Sequence, residues 1–245
     1  MPFPLIIGHR GASAVAPENT MAAFREAIAV GAHGIEFDVR LTRDGIPVVI
    51  HDSTLGRTGG VNQRVSDLSW EELRKIDVGS WFKGGSFAGE TVPSLEELFD
   101  LFQTNNLSLY LEMKCDSPAD YRPLAEACCR MIHEHSLIER VVVECFQLPA
   151  LEVLKAIDPD IKTAALFDRG FIDQSIVERA TEIGAMAVAL HHRLGRKGLV
   201  GKSKQAGLHV AVWTVDDPIW IDRARSIGID ALITNDPARM IQFVR

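Results

Sequence analysis

The length, composition and charge of the chain limit the classes of protein to which it can belong. With 245 residues, 47% of them apolar, the chain can form one large domain with a substantial core. Its formal charge is −7 and its 26 basic residues are scattered, which argues against a nucleic-acid partner because phosphate backbones are bound by clustered Lys and Arg. No apolar run approaches 18 residues, which argues against stable membrane insertion.

The cysteines and the first residues bear on the compartment. The four cysteines form no CxxC pair, a pattern that predicts reduced thiols rather than a disulfide framework. The N-terminal residues MPFPLIIGHRG lack the basic segment of a secretory signal. We therefore expect a cytoplasmic protein. The sequence leaves the oligomeric state open, a homodimer included.

A recurring unit along the chain predicts a parallel sheet. A helical stretch, a glycine and a short apolar strand recur as AVGAHGIEF, EIGAMAVAL, QAGLHVAVW and SIGIDALIT, with Gly31, Gly184, Gly207 and Gly228 at equivalent places. Glycine is favoured just after a helix, where the backbone turns left-handed. Repeated units of one strand and one helix are typical of parallel sheets.

Eight such strands can be placed in chain order. This number of strands favours a closed (β/α)8 TIM barrel over an open sheet. We predict them at residues 5–9, 34–39, 108–114, 141–146, 162–167, 186–191, 209–215 and 230–234. Residues 48–51 follow strand two after a short turn only, so they are predicted to return antiparallel as a hairpin. We expect one domain over residues 1–245, in which an insertion at 52–92, after strand two, caps the C-terminal rim.

Two predicted strands carry acidic residues with a period of two. Glu36 and Asp38 alternate with apolar residues and share a strand face with Arg40, while Glu112 and Lys114 share a face of the third strand. An isolated acidic pair of this kind usually marks a solvated strand face. Carboxylates that converge from two barrel strands instead form an oxygen-only site, which suits Mg²⁺ or Ca²⁺ better than zinc.

Two histidines and two cations are predicted at the same end of the barrel. His9 ends the first strand and His51 ends the hairpin arm, a spacing that does not suit zinc ligation and favours general acid and base roles. The sequence leaves the assignment of acid and base open, and we lean towards His9 as the acid. Arg10 and Lys114 offer positive charge to a phosphate, although an ordinary salt bridge would explain either one alone.

The chain resembles the glycerophosphodiester phosphodiesterase family. The resemblance rests on residues 9–60, which run from HRGASAVAPENT to HDSTLGRTGG, and on VGSWF, VPSLEEL, LYLEMK, VWTVDD and ALITNDP further along. It implies metal binding by the three carboxylates, catalysis by the two histidines and phosphate binding by Arg10 and Lys114. The implied substrate is a small glycerophosphodiester, cleaved to sn-glycerol 3-phosphate and an alcohol.

The resemblance also implies substrate contacts at the rim and leaves alternatives open. Trp213 and Phe146 match aromatic positions of the family, although Cys145 stands where the family usually has Ser. His191 and His192 are weaker candidates for substrate contact.

The alternatives to this function are a lysophospholipase D-like or a phospholipase C-like enzyme on the same barrel, and a non-catalytic binding module. The nucleophile is either water or the neighbouring glycerol hydroxyl, which would form a cyclic phosphate.

Overall fold

A closed barrel of eight parallel strands forms the centre of the protein, in a computed structural model that describes residues 3–244. The barrel strands are β1 (Leu5–His9), β2 (Gly34–Leu41), β4 (Ser108–Met113), β5 (Val141–Cys145), β6 (Lys162–Phe167), β7 (Ala187–His191), β8 (His209–Trp213) and β9 (Ala231–Thr234). Pairing of β1 with both β2 and β9 closes the barrel. The predicted TIM barrel is therefore confirmed, with bounds that differ by a few residues.

Helices alternate with these strands and surround the barrel. They are α1 (Met21–Ala29), α2 (Trp70–Leu73), α3 (Leu95–Phe102), α4 (Tyr121–Glu134), α5 (Leu148–Ile157), α6 (Asp173–Glu182), α7 (Lys197–Gln205), α8 (Ile219–Ile227) and α9 (Pro237–Ile241). In residues 3–244, no helix combines the length and the apolar character that crossing a bilayer requires.

The ends of the helices follow from local sequence. Ser94 and Glu97 form the capping box that starts α3: the Ser94 hydroxyl accepts from the Glu97 N–H at 3.1 Å, and the Glu97 carboxylate accepts from the Ser94 N–H at 2.9 Å. Gly228 ends α8 with a φ of 86°, a left-handed conformation in which its N–H reaches the Ala224 carbonyl. These local signals set the lengths of the helices that return the chain to each strand.

The ninth strand, β3 (Pro47–Val49), lies outside the barrel and pairs antiparallel with the end of β2 through Val39 and Val49. The predicted hairpin is thus present, although His51 lies two residues beyond the strand. The chain from His51 to Val92 packs around a small apolar cluster of its own that includes Leu55 and Leu73. The hairpin therefore delivers His51 to the C-terminal end of the barrel.

Two different cores lie on the two faces of the strands. Outside, Phe37 of β2 packs against Phe24, Phe99 and Phe102, with ring centroids 6.3–6.4 Å apart and mostly edge-to-face. Inside, small and branched side chains fill the part of the barrel formed by β1 and β6–β9; they are Ile7, Leu166, Ala189, Ala211, Ala231 and Ile233. Because alanines line much of that interior, space remains at the C-terminal end for polar side chains.

Candidate active site

The predicted carboxylates meet inside the barrel at the C-terminal ends of β2 and β4. The parallel register places Asp38 beside Glu112. Glu36 lies two residues before Asp38, on the same face of β2. All three side chains are buried, and one oxygen from each lies within 4.8 Å of the others. Glu144 of β5 is the register partner of Glu112 and is also buried. The interior thus holds four carboxylates from three adjacent strands.

Two cations neutralise part of this charge. Arg10 Nε lies 3.1 Å from Asp38 Oδ2, while Lys114 Nζ lies 3.1 Å from Asp38 Oδ1 and 2.6 Å from Glu112 Oε1. Burial opposes ionisation of Asp38, but Lys114 and Arg10 hold its pKa well below the usual range. Burial, reinforced by neighbouring carboxylates, raises the pKa of Glu36 well above its usual range and that of Glu112 to about 7.

The carboxylate cluster fits a divalent cation. Within the part of the chain that the structure describes, Asp38 Oδ1 is buried without a hydrogen bond despite the nearby lysine, so it retains capacity to bind a cation. Burial and the neighbouring carboxylates together raise the pKa of Glu36 and Glu112, and a bound cation would offset the repulsion among these acids. A buried set of carboxylate oxygens without a sulfur or imidazole ligand is the coordination chemistry of Mg²⁺ or Ca²⁺.

A tight loop after β1 aims Arg10 at the carboxylates. Arg10 and Asn19 adopt left-handed φ angles of 54° and 56°, which are uncommon for residues with a side chain. The Asn19 N–H donates to the Arg10 carbonyl at 3.0 Å, and its side-chain amide donates to Asp38 at 2.8 Å. Arg10 also binds Glu18 at 2.7 Å. At Gly11 a Cβ atom would lie 2.6 Å from the Ala23 carbonyl carbon, so this turn excludes larger residues.

His9 is held by an amide network that spans the chain. Its Nδ1 lies 2.7 Å from Asn235 Oδ1, and Asn235 Nδ2 donates to Asp216 at 2.8 Å. Because a carboxylate only accepts, this contact orients Asn235 so that its oxygen faces His9, which places the His9 proton on Nδ1. Nε2 lies 3.9 Å from Glu36. Burial, together with Arg10, lowers the pKa of His9 to about 4.

His51 has a charged partner instead. Its Nδ1 lies 2.7 Å from Asp52 Oδ1, and Arg57 binds the other Asp52 oxygen at 2.7 Å. Arg40 donates to the His51 carbonyl at 2.8 Å, so it supports the backbone there rather than joining the carboxylates. Burial lowers the pKa of His51, while its hydrogen bond to Asp52 acts in the opposite direction.

One cavity of about 220 Å³ contains these groups. Eight of the nine predicted site residues line it: His9, Arg10, Glu36, His51, Glu112, Lys114, Phe146 and Trp213. The ninth, Asp38, is fully buried behind Arg10 and Lys114. A larger groove of about 580 Å³ borders Lys114, but Arg40 and Arg64 are both paired with Asp116 there. The smaller cavity, which brings the predicted residues together, is therefore the candidate active site.

Aromatic side chains form one wall of this cavity. Phe146 and Trp213 meet edge-to-face with centroids 5.5 Å apart, and the Trp213 indole donates to the Ala189 carbonyl at 3.2 Å. His191 packs edge-on against Trp213 at 5.2 Å, and its ring lies 4.1 Å from that of His192. His191 thus supports Trp213, and neither histidine is among the described residues that line the cavity.

Sequence reasoning missed several residues of the site. Asn19 and Asn235 orient Asp38 and His9, and both lie within family-like segments, PENT and ALITNDP, that could have flagged them. Glu144 stands in an apolar strand, VVVEC, where a single acid is unusual. Its burial could be read from that pattern, but its position beside Glu112 required the register of β4 and β5.

A closed (β/α)8 barrel that gathers carboxylates, imidazoles and cations at its C-terminal mouth has the architecture of a TIM-barrel enzyme. The sequence profile of the glycerophosphoryl diester phosphodiesterase family matches residues 9–239. A glycerophosphodiester phosphodiesterase of Caldanaerobacter subterraneus is 36% identical over 241 residues, which are 98% of both chains. The chain therefore belongs to the glycerophosphodiester phosphodiesterase family and is an enzyme of that class.

Solved structures agree with this assignment. An Oleispira antarctica phosphodiesterase in complex with the product sn-glycerol-3-phosphate superimposes with a TM-score of 0.91 at 28% identity, covering 99% of this chain and 97% of that one. A crystal structure of a Silicibacter pomeroyi protein gives a TM-score of 0.90 at 28% identity, covering 100% of this chain and 94% of that one. The match extends over the whole barrel.

Proposed function

We propose that the enzyme uses one divalent cation, Mg²⁺ or Ca²⁺, to hydrolyse small glycerophosphodiesters to sn-glycerol 3-phosphate and an alcohol. The observation that carries the proposal is the meeting of Glu36, Asp38 and Glu112 beside the cavity that His9 and His51 line. The product complex of the Oleispira antarctica relative supports the choice of product.

The three carboxylates would hold the cation. When bound there, it supplies positive charge that polarises a phosphoryl oxygen. Arg10 and Lys114 are 17% and 12% exposed, so their charges act in a partly desolvated cavity on the remaining phosphate oxygens. Phe146 and Trp213 would pack against the carbon atoms of the substrate.

The partners of the two histidines favour different roles. Asp52 is a carboxylate and stabilises a protonated His51, which we assign as the acid that gives a proton to the departing alkoxide. Asn235 is a neutral amide that fixes the Nδ1–H form of His9 and leaves Nε2 free to accept a proton from the nucleophile. These contacts favour the reverse of the assignment towards which the sequence leaned.

Product analysis tests the proposal. The enzyme is incubated with glycerophosphocholine, glycerophosphoethanolamine or a lysophospholipid, with and without chelator, and the products are followed by phosphorus NMR. We expect glycerol phosphate from the first two substrates, lost with chelator and restored by Mg²⁺ or Ca²⁺. Accumulation of a cyclic phosphate would instead indicate phospholipase C-like chemistry, and preferential cleavage of the lysophospholipid would indicate a lysophospholipase D.

Histidine variants test the acid and base roles. His9→Ala and His51→Ala should each lower turnover at least ~100-fold while leaving the affinity for the cation nearly unchanged. His209→Ala is the matched control, because His209 is exposed and begins β8 at the opposite end of the barrel. Wild-type turnover in both cavity variants would refute the assignment.

A further inference from the structure

Glu144 is a buried acid that the proposed mechanism does not use. It lies on β5, where its register partners are Glu112 and Ala164, and it is 1% exposed. Its side chain lines the same cavity as the two histidines. The three oxygens that lie within 4.8 Å of one another belong to Glu36, Asp38 and Glu112, so Glu144 stands beside the cation site and outside it.

One carboxylate oxygen of Glu144 lacks a hydrogen-bond partner. Among the described residues 3–244, nothing donates to its buried Oε2. The nearby cations are engaged elsewhere, because Lys114 contacts Asp38 and Glu112 while Arg10 contacts Asp38 and Glu18. A buried acceptor without a donor is costly, so it persists where a ligand supplies the missing hydrogen bond.

The walls around Glu144 show what kind of ligand would do so. Leu166 and Ile233 line the cavity with Phe146 and Trp213, and they present carbon surface on the side away from the cation site. A carboxylate among apolar walls is complementary to a polyol, whose hydroxyls donate hydrogen bonds while its C–H groups pack on aromatic and aliphatic side chains.

We infer that Glu144 accepts a hydrogen bond from a hydroxyl of the glycerol moiety and makes the enzyme selective for glycerol-bearing phosphodiesters; the inference rests on the proposed function. A cationic head group fits this position less well. Lys114 Nζ already lies over the Phe146 ring at 5.8 Å from its centroid, so a second cation at that ring would meet like charge.

Substrates with and without glycerol test the inference. Glu144→Leu removes the acceptor and Glu144→Gln keeps one, and both are assayed on glycerophosphocholine, glycerophosphoethanolamine and bis(4-nitrophenyl) phosphate, which has no hydroxyl. We expect Glu144→Leu to lower kcat/KM for both glycerophosphodiesters about 10- to 100-fold, the usual cost of leaving a buried polar group without its hydrogen-bond partner. The loss on the nitrophenyl ester should be at least tenfold smaller, and Glu144→Gln should fall between wild type and Glu144→Leu.

Binding measurements and a control variant distinguish a glycerol contact from a cation ligand and from a head-group contact. Calorimetry should show weaker binding of sn-glycerol 3-phosphate to Glu144→Leu, with little change for inorganic phosphate or for Mg²⁺. Glu182→Leu, an exposed change at the end of α6, controls for the substitution itself. Equal losses on all substrates together with weaker Mg²⁺ binding would overturn the inference in favour of a cation ligand. A loss confined to glycerophosphocholine would overturn it in favour of a head-group contact.

The two proposals fail in different ways. If the wild-type enzyme cleaves no glycerophosphodiester, the proposed function is wrong, whatever Glu144 does. If the wild type cleaves them in a chelator-sensitive way and Glu144→Leu does so equally well, only the glycerol contact is refuted.

Discussion

Replacing Glu112 by Gln separates two effects of the cluster formed by Glu36, Asp38 and Glu112. The first is that the cluster destabilises the cation-free protein, and the second is its affinity for a divalent cation. Glu112 is 6% exposed, and burial raises its pKa from an ordinary value of 4.5 to about 7. A carboxyl group with a raised pKa binds its proton more tightly in the folded than in the unfolded state. Its contribution to stability is therefore favourable at low pH and is lost as the pH rises from about 4.5 to about 7.

The magnitude follows from the same values. A change from 4.5 to about 7 corresponds to roughly 3 kcal/mol between the two ends of that window. For a chain of this size, that free energy is worth about 6–12 °C in Tm. Gln resembles the protonated acid in shape and charge, so Glu112→Gln should lack this pH dependence. Because the charge of Glu112 also raises the pKa of Glu36 and Glu144, the difference between the two Tm values reports Glu112 together with its effect on these two acids.

Thermal unfolding between pH 5 and pH 8 provides the assay. With chelator, the Tm of the wild type should fall relative to that of Glu112→Gln as the pH rises, by about 6–12 °C in total. With saturating Mg²⁺ or Ca²⁺ at pH 8, wild type should gain more Tm than the variant, because a cation that binds the folded state stabilises it. Glu152→Gln on the exposed face of α5 is the matched control. A Tm difference that stays constant with pH, or that moves in favour of wild type, would refute the reasoning.

Three further changes test the neighbours of the histidines and the local signals of the fold. Asn235→Ala removes the acceptor of the His9 Nδ1–H and should lower kcat about 10- to 100-fold, with stability measured in parallel. Asp52→Asn removes the charge that stabilises protonated His51, so the alkaline limb of the pH–rate profile should move to lower pH; an unmoved limb would contradict the assignment. Ser94→Ala breaks the capping box of α3 and should lower the unfolding free energy by about 1 kcal/mol in denaturant titrations, with unchanged kcat.

Patterns with a short range along the chain predicted most of the fold. The glycines after the helices and the period-two strands gave eight barrel strands and the antiparallel hairpin, because both signals depend only on neighbouring residues. The acids Glu36 and Asp38 could be placed on one face for the same reason. Once the strands were known to be parallel, their C-terminal ends had to share one mouth with Glu112.

Contacts of long range along the chain could not be read from the sequence in this way. The pair of His9 with Asn235 joins residues 226 positions apart, and an amide carries no chemical signal of its own. The contacts of Arg40 show a related limit of the strand pattern. Period two puts it on the face of Asp38, but β3 pairs with the end of β2 and carries Arg40 out of the cavity towards Asp116.

The barrel fold and the meeting of the predicted carboxylates have one physical cause, the alternation of β2. Phe37 lies between Glu36 and Asp38 in sequence and points to the opposite face, where it packs against Phe24 and Phe99. If β2 were shifted by one residue relative to its neighbouring strands, both acids would lie in that aromatic layer and the phenyl ring would lie in the cavity. The burial of Phe37 thus fixes the direction of the acids before a cation binds, because a buried aromatic contributes about 3–5 kcal/mol that the slipped register would lose. A sequence that specifies the outer core of this barrel therefore specifies the orientation of its carboxylates as well.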